Sequence, residues 1–220
     1  MMWTRKIILI SFAGLATCGY AQVDSVVWNL DNLTVIDGHK VIVEGDPKVI
    51  ETQSGSAIEF DGTDDGIFLD VHPLEGMSTF TVEVIFKPYA DGPSEQRFFH
   101  MQEDPTDSRV MFETRLVKNE FWFLDTFIKS GEQGVTHYAS EHEHPIGPWY
   151  HAAIVVDENS FNHYVDGALE LSAEIQFNAQ QTGETSLGVR LNKVHWFKGA
   201  IRTIRITPRA LSPEEFLSKD

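Results

Sequence analysis

The spacing of short strand-like runs is the feature that most constrains the fold of this chain. Runs rich in β-branched and aromatic residues recur at intervals of roughly 8–12 residues, separated by turn-forming Gly, Asp, Asn and Pro. Residues 80–87 alternate, with Phe80, Val82, Val84 and Phe86 on one face of a strand. The chain is therefore predicted to be all-β, with two antiparallel sheets packed as a jelly-roll sandwich.

One helix is predicted, at the C-terminus. Ser212 suits the N-cap position, Pro213 the first helical position and Glu215 the third. The sequence after residue 21 shows no internal repeat, low-complexity tract or interdomain linker. We therefore expect one domain over residues 22–220, ending in a short C-terminal helix.

The first 21 residues have the features of a secretory signal peptide. Two basic residues precede an apolar run of about ten residues, which is too short to span a bilayer. Gly19 and Ala21 then supply the small residues of a cleavage site, so residues 1–21 are predicted to be removed. The protein is expected to be secreted or periplasmic, without a transmembrane segment. Cys18 lies in a lipobox-like sequence and offers a lipoprotein anchor as the alternative.

The chain is strongly acidic. Its formal charge is −16, and it becomes −18 when Arg5 and Lys6 leave with the signal peptide. A surface this acidic repels nucleic-acid phosphates and anionic membranes, so neither is predicted as a partner. A polyanionic sugar would need a local basic pocket that overcomes the overall field. Cys18 is the only cysteine, so no disulfide is expected.

Four segments, in this order, carry a family resemblance. They are residues 57–66, residues 80–88, residues 149–151 with 164–167, and residues 197–201 with 208–212. Together they resemble the laminin-G-like family of concanavalin A-like jelly rolls, over about residues 25–217. The charged middle of the chain is most similar to small exported jelly-roll proteins of environmental and gut bacteria that are associated with glycan use.

The resemblance implies a concave and a convex sheet, with sugars held on the concave sheet or its rim. It also implies a structural calcium ion in many members. Lectins, glycoside hydrolases and polysaccharide lyases share this scaffold, so the fold does not decide between binding and catalysis. The predicted partner is an oligosaccharide or polysaccharide.

Three consecutive predicted strands in the middle of the chain form the candidate site. A period of two assigns one face to Gln96, Phe98, His100 and Gln102 of the first strand, Arg109, Glu113 and Arg115 of the second, and Phe121, Phe123, Asp125, Phe127 and Lys129 of the third. Acidic residues at strand centres, framed by aromatic rings, are unusual on a solvent-facing sheet. They predict either a sugar site or a ladder of cross-strand salt bridges in which Asp125 pairs with Lys129.

The favoured function is carbohydrate binding, which requires only the fold and this face. The residues that we expect to contact sugar are Gln96, Gln102, Tyr138, His151, Arg190 and Trp196. A cell-surface structural or partner-binding domain is an alternative without a sugar ligand.

Two enzymatic alternatives use the same face, with His100, Glu113, Arg115 and Asp125 as candidate catalytic residues. A lyase would neutralise a uronate with Arg115 and Gln96. Its base would be His100 and its acid a tyrosine such as Tyr138. A glycoside hydrolase would use Glu113 and Asp125 as its carboxylate pair. The E-x-D-x-x-E motif of concanavalin-like hydrolases is, however, absent.

Metal ligands are not assigned. His142 and His144 lack a third ligand at a recognised spacing, and a solvated loop is predicted for them. Asp61, Asp64 and Asp65 offer oxygen ligands suited to calcium, but Asp also occurs in such Gly-bearing turns for backbone reasons. A structural calcium ion is therefore implied only by the resemblance.

Overall fold

The computed structural model describes residues 25–220, so the predicted signal peptide and Cys18 lie outside the described residues. The strands are, in chain order, β1 (Val26–Asn29), β2 (Val35–Ile36), β3 (His39–Glu44), β4 (Lys48–Thr52), β5 (Gly55–Asp61), β6 (Gly66–Leu69), β7 (Phe80–Pro88), β8 (Glu95–Glu103), β9 (Arg109–Val117), β10 (Phe121–Ser130), β11 (Gln133–Tyr138), β12 (His144–Pro145), β13 (Tyr150–Val156), β14 (Ser160–Val165), β15 (Ala168–Glu174), β16 (Gly183–Leu187) and β17 (Lys198–Thr207). Within residues 25–220, no helix is long and apolar enough to cross a membrane.

These strands form two antiparallel sheets. Sheet I has the order β15-β14-β13-β7-β17-β5-β4, and β1 also pairs with β17. Sheet II has the order β11-β10-β9-β8-β16-β6-β3-β2, and β12 also pairs with β10. Strands distant in sequence are neighbours in space, as β7 is to β17 and β8 to β16. The predicted all-β sandwich of two antiparallel sheets is confirmed.

The core between the sheets is rich in aromatic rings. The alternation predicted for β7 is confirmed, because its four apolar side chains at even-numbered positions from Phe80 to Phe86 are fully buried in the core. The Phe86 ring stacks on Phe98 at 4.3 Å and meets the edge of Trp122 at 5.1 Å. Each such pair adds about 0.5–1.5 kcal/mol beyond the burial of its apolar area. The two sheets are therefore joined by aromatic contacts directly beneath β8 and β10.

A bulge in β8 changes which side chains face outward. Arg97 pairs with Glu113 and Phe99 with Phe112, so Phe98 is the additional residue. Phe98 and Phe99 both lie in the core, while Arg97 lies on the outer face. The prediction that Phe98 shares a face with the site residues is wrong, because the period of two breaks at the bulge.

The loop at residues 188–197 is held against this bulge by backbone hydrogen bonds. The Gly188 N–H donates to the Phe98 carbonyl at 3.0 Å, and the Arg97 N–H donates to the His195 carbonyl at 2.8 Å. The loop therefore lies beside the outer face of sheet II, at the centre of the candidate site.

Two boundaries near the C-terminus differ from the predicted ones. The β-rich run at residues 194–206 predicts the last strands, but the strand begins only at Lys198, because Lys193 and His195 have φ angles of 61° and 62°, outside the strand region. The predicted C-terminal helix is present as a single 3₁₀ turn at Pro213–Glu215. The Ser212 N–H donates to the Glu215 carboxylate at 3.0 Å, as expected for a cap.

Candidate functional site

A row of four side chains crosses the outer face of sheet II. In the register of β8 to β11, Arg97, Glu113, Asp125 and Tyr138 are successive cross-strand partners. Two carboxylates directly opposite each other on neighbouring strands repel, and both are nearly inaccessible to solvent. The ionised forms of Glu113 and Asp125 can therefore be stable only if nearby cations offset the repulsion.

Arg115 is the main cation that offsets this repulsion. Its Nε and Nη2 contact Asp125 Oδ2 at 2.8 and 2.7 Å, and Nη2 lies 3.4 Å from Glu113 Oε2. Arg97 Nη2 lies 3.1 Å from the same Glu113 oxygen, and Glu95 contacts both arginines. The cross-strand ladder of salt bridges therefore exists.

One partner in this ladder differs from the expected one. Lys129 Nζ lies 2.6 Å from an oxygen of Asp107, and Asp125 is paired with Arg115. The predicted pairing of Asp125 with Lys129 is wrong, because four residues of one strand separate them by about 13 Å, whereas Arg115 lies on the adjacent strand. Lys129 instead neutralises the exposed Asp107 at the end of the sheet.

Burial shifts the pKa values of both carboxyl groups in the row. Burial raises the pKa of Glu113 to about 7, helped by the charge of Asp125 and opposed by Arg97 and Arg115. Burial also raises the pKa of Asp125, against the hydrogen bond and charge of Arg115. Glu113 is thus partly protonated near neutral pH, which lessens the repulsion within the row.

A hollow of about 220 Å³ lies over this row. It is lined by Arg97, Arg109, Met111, Glu113, Arg115, Asp125, Phe127, Thr136 and Arg190. The hollow is smaller than the roughly 300–1,000 Å³ of pockets for drug-sized ligands. Its size suits a single small polar group or one sugar residue of a longer chain.

Several polar atoms at the hollow have no hydrogen-bond partner in the protein. Asp125 Oδ1, Arg97 Nε and Arg109 Nε are buried and form no hydrogen bond within residues 25–220. A buried polar group left unpaired costs about 1–3 kcal/mol. All three atoms belong to residues that line the hollow.

His100 lies on the outer face as predicted, but it is fully buried. Its Nδ1 accepts a hydrogen bond from the Leu191 N–H at 3.1 Å, which places the proton of the neutral ring on Nε2. Burial, together with the charges of Arg190, Arg109 and Arg97, lowers the pKa of His100 to about 3. Its contact with Leu191 helps to hold the loop at residues 188–197.

Three further candidates lie at or near the hollow. Arg190 lines it from the loop. Tyr138 lies at its edge, 53% exposed, with Arg115 over its ring at 5.5 Å. Gln102 is the cross-strand partner of Arg109 and is half-buried.

Three other candidates lie elsewhere. Gln96 points inward, where it donates to the Pro93 carbonyl and accepts from the Lys198 N–H at 2.7 Å. Its predicted place on the site face is wrong because it precedes the bulge. His151 lies on sheet I, with Nε2 3.0 Å from Glu83, so it cannot share the hollow. Trp196 is half-buried near Gly66 on β6 and does not line the hollow.

Arg97 and Arg109 line the hollow, but neither was among the candidate site residues. Arg109 could have been included, since alternation placed it on the correct face. Arg97 could not, because only the bulge turns it to the same face as His100.

The segment at residues 137–144, which contains three histidines, does not form the solvated loop predicted for it. His137 belongs to β11, is buried and bonds the Phe161 carbonyl at 2.8 Å. His144 Nε2 lies 2.7 Å from the buried carboxylate of Glu170. His142 alone is exposed, as predicted. Residues 137–144 therefore connect the edge of sheet II to β14 and β15 of sheet I.

A larger groove of about 780 Å³ lies at another edge, near Tyr89 and Lys198, but its polar groups are mostly paired within the protein. Tyr89 donates to Glu59 at 2.9 Å, and Lys48 is paired with Asp46. Because unpaired buried groups are what a ligand satisfies, we place the candidate site in the smaller hollow.

The acidic turn beside this groove fits calcium poorly. Ligand oxygens of Asp61, Asp64 and Asp65 lie within 4.8 Å of one another. Asp65, however, accepts hydrogen bonds from the backbone N–H groups of Asp46 and Asp61, one on each oxygen. These contacts give Asp65 a role in fixing the turn, and calcium stays an implication of the family resemblance alone.

The two antiparallel sheets, packed face to face around an aromatic core, define a concanavalin A-like jelly roll. Residues 61–216 match the model of the concanavalin A-like lectin/glucanases superfamily, and the chain belongs to this family. No curated protein sequence matches the chain.

Solved structures share this fold at low sequence identity. One is domain 4 of an extracellular GH43 arabinanase from Geobacillus stearothermophilus, in complex with arabinotriose. It has a TM-score of 0.63 and 20% identity, over 86% of this chain and 94% of that one. A second is the binding domain of botulinum neurotoxin serotype D, with a TM-score of 0.63 and 13% identity, over 88% of this chain and 50% of that one. This chain thus spans about half the length of the toxin domain.

A third similar structure is the SAP-like pentraxin of Limulus polyphemus. Its TM-score is 0.57 at 16% identity, over 72% of this chain and 78% of that one. At these identities the likeness establishes the fold but does not assign site residues in this chain.

Proposed function

We propose that this protein is an exported carbohydrate-binding domain that holds its ligand in the hollow on the outer face of sheet II. The observation that carries the proposal is the set of residues that line one cavity, because it combines Phe127 with Asp125, Arg97 and Arg109, each of which has a polar atom without a partner. Sugar hydroxyls both donate and accept hydrogen bonds, and sugar C–H faces pack on aromatic rings. A sugar residue would therefore satisfy Asp125 Oδ1 and the arginine donors together.

The comparisons support carbohydrate binding in general terms. The family includes lectins by name, and one of the similar structures was solved with arabinotriose. Tyr138 pairs with Asp125 on the neighbouring strand β11 and is 53% exposed, so it offers an accessible ring to a longer glycan chain that continues across β11.

Removing the ring in the hollow tests the proposal. We expect Phe127→Ala to weaken glycan binding about tenfold or more, since loss of stacking and burial exceeds the 1.4 kcal/mol of one decade. Glycan-array screening followed by titration calorimetry measures this. Phe68→Ala is the matched control, because Phe68 lies on β6 of the same sheet and does not line the hollow. Equal losses in both variants, or no binding to any glycan, would reject the site.

A glycoside hydrolase is the second candidate, favoured by one observation. Glu113 has a pKa of about 7 and faces Asp125 on the neighbouring strand, as an acid and a carboxylate would in such an enzyme. Against this, Arg115 holds both groups in ion pairs. New reducing ends that disappear in Glu113→Gln would favour the hydrolase, whereas an unchanged glycan favours the binding protein.

The lyase roles receive less support from the geometry. Gln96 lies on the inner side of β8, away from Arg115, and so cannot help to neutralise a uronate. His100 is fully buried and has one ring nitrogen bonded to the loop. A base must reach the proton that it abstracts, and a ring without exposure does not.

A structural or partner-binding role is supported only by scattered exposed apolar residues. Val35, Ile42, Val43 and Val49 are exposed on β2, β3 and β4. These strands lie at the edges of the two sheets, away from the hollow. Isolated apolar side chains at an edge are common and require no partner.

Export is proposed from the sequence of residues 1–21 alone. Mass spectrometry of the processed protein distinguishes its two forms. Cleavage after Ala21 gives a chain starting at Gln22, whereas a lipoprotein starts at an acylated Cys18.

A further inference from the structure

The charge of the hollow is opposite to that of the whole chain. Four arginines and two carboxylates line it, in a protein with a formal charge of −16. Counting Glu95, which contacts two of these arginines, still leaves the cations in excess. A cationic hollow on an acidic surface is an electrostatic feature that a neutral sugar does not require.

Two of the four arginines are already neutralised. Arg115 is paired with Asp125 and Glu95, and Arg97 is paired with Glu113 and Glu95. These contacts set three carboxylates against two guanidinium groups. The raised pKa of Glu113 reduces the negative excess, so these two arginines add no positive charge to the floor of the hollow.

The other two arginines lack such partners. Within residues 25–220, the Arg190 side chain forms no hydrogen bond or ion pair, and the neighbouring charges of Arg109 and Arg97 add to its burial in lowering its pKa. Arg109 contacts the Asp107 carbonyl and, at 3.5 Å, its exposed carboxylate, while its Nε is buried without a partner. The Phe127 ring fixes the Arg109 guanidinium from one side at 4.8 Å. Cations that repel each other across a small cavity provide a strong site for an anion.

We propose that the hollow binds an anionic sugar, whose carboxylate or sulfate group is held between Arg109 and Arg190. This inference rests on the proposed carbohydrate-binding function and names its ligand class. A planar guanidinium donates two parallel hydrogen bonds to a carboxylate or sulfate, which explains arginine rather than lysine at both positions. The sugar ring packs beside Phe127 on the side not covered by Arg109, and a hydroxyl donates to Asp125 Oδ1.

The acidic surface around the hollow acts against long polyanions. At physiological salt, the Debye length is about 8 Å, so charges on remote faces are largely screened while contacts in the hollow are not. Short acidic oligosaccharides avoid most of the repulsion. They are therefore the probes of choice.

The experiment is calorimetric titration of the protein with matched pairs of oligosaccharides. One set contains oligogalacturonate, oligoglucuronate, oligomannuronate and oligoguluronate, each beside its carboxyl-reduced neutral counterpart. The other contains sulfated galactan oligosaccharides beside their desulfated forms. We expect an acidic member to bind at least tenfold more tightly than its neutral counterpart. Binding of a uronate oligosaccharide would identify the recognised group as a carboxylate, and binding of a sulfated galactan would identify it as a sulfate.

Arg190→Gln distinguishes the hollow from the rest of the surface. We expect it to weaken binding of the acidic oligosaccharide about tenfold and to weaken the neutral counterpart much less, so that the preference for the acidic form falls. Lys193→Gln is the matched control: it removes the same charge from the same loop, at a side chain that contacts Glu44 and the Phe68 ring instead of the hollow. It should bind as the parent does.

Two outcomes overturn the inference in different ways. If a neutral oligosaccharide binds as tightly as its acidic form and Arg190→Gln has no effect, the ligand is not anionic, but carbohydrate binding stands. If no oligosaccharide binds, the proposed function fails together with the inference. Equal losses in the two loop variants would show a general charge effect and would also overturn the assignment to Arg190.

Discussion

Replacing Arg115 by leucine is expected to lower the free energy of unfolding by about 3–5 kcal/mol at neutral pH. Arg115 holds Asp125 through two contacts below 3 Å and also neutralises Glu95 and Glu113. Its removal leaves Asp125, which is 1% exposed, as a buried charge without a partner. Urea unfolding, monitored by fluorescence, measures the loss.

The double variant Arg115→Leu with Asp125→Leu isolates the reason for this loss. It removes both partners of the pair and leaves Glu113 and Glu95 with Arg97. Most of the lost stability should return, since replacing a buried ion pair by apolar groups is often neutral or stabilising. A double variant as unstable as Arg115→Leu alone would show that lost packing, not an unpaired charge, is responsible.

An exposed ion pair provides the control for this experiment. Arg209 lies 2.8 Å from Glu215, and both side chains are largely exposed. Arg209→Leu should leave the free energy of unfolding nearly unchanged, as is usual for surface pairs. Comparable losses at Arg115 and Arg209 would contradict the buried character of the row.

The second large effect concerns Glu113 and pH. Glu113→Gln is expected to become progressively more stable relative to the parent as the pH rises from 5 to 8, by about 3 kcal/mol in total. The pKa of Glu113 is about 7 in the folded protein, above the 4.5 of an ordinary glutamate. Between these values the folded state keeps a proton that the unfolded state has released, so the parent loses stability as the pH rises. Glutamine cannot lose that proton.

Taking the difference between the two proteins removes the contribution of His100. The pKa of His100 is lowered to about 3, so its contribution to stability is lost as the pH falls from about 6.5. The parent and Glu113→Gln share that loss, so it cancels in the difference between their free energies of unfolding. Thermal or urea unfolding at several pH values gives the difference directly. A difference that does not change with pH, or that falls, would show that Glu113 is ionised like an exposed glutamate.

Much of the fold is predictable from the sequence because the signals are local. Alternation in β7 and β9, and Asp-Gly turns such as the one at Asp166, depend only on neighbouring residues. β11 was missed because residues 133–138 carry little alternation of apolar and polar side chains. Its pairing with β10 comes from long-range contacts that a local pattern does not contain.

The site was only partly predictable, for two physical reasons. Glu113, Arg115 and Asp125 were placed together because β9 and β10 follow strict alternation. Arg97 and Gln96 were misassigned because the bulge shifts the faces of β8 by one residue. His151 was grouped with the site because a sequence does not reveal which of two sheets a strand joins.

The way in which residues 188–197 are fastened has a consequence for redesign. Both ends of the loop are held by main-chain atoms, between Gly188 and Phe98 and between Arg97 and His195. Such bonds do not depend on which side chains the loop carries. Apart from the contact of the Leu191 N–H with His100, residues 190–194 can be exchanged as an insert. The sheet would then act as a constant platform, and ligand preference could be altered by replacing five residues.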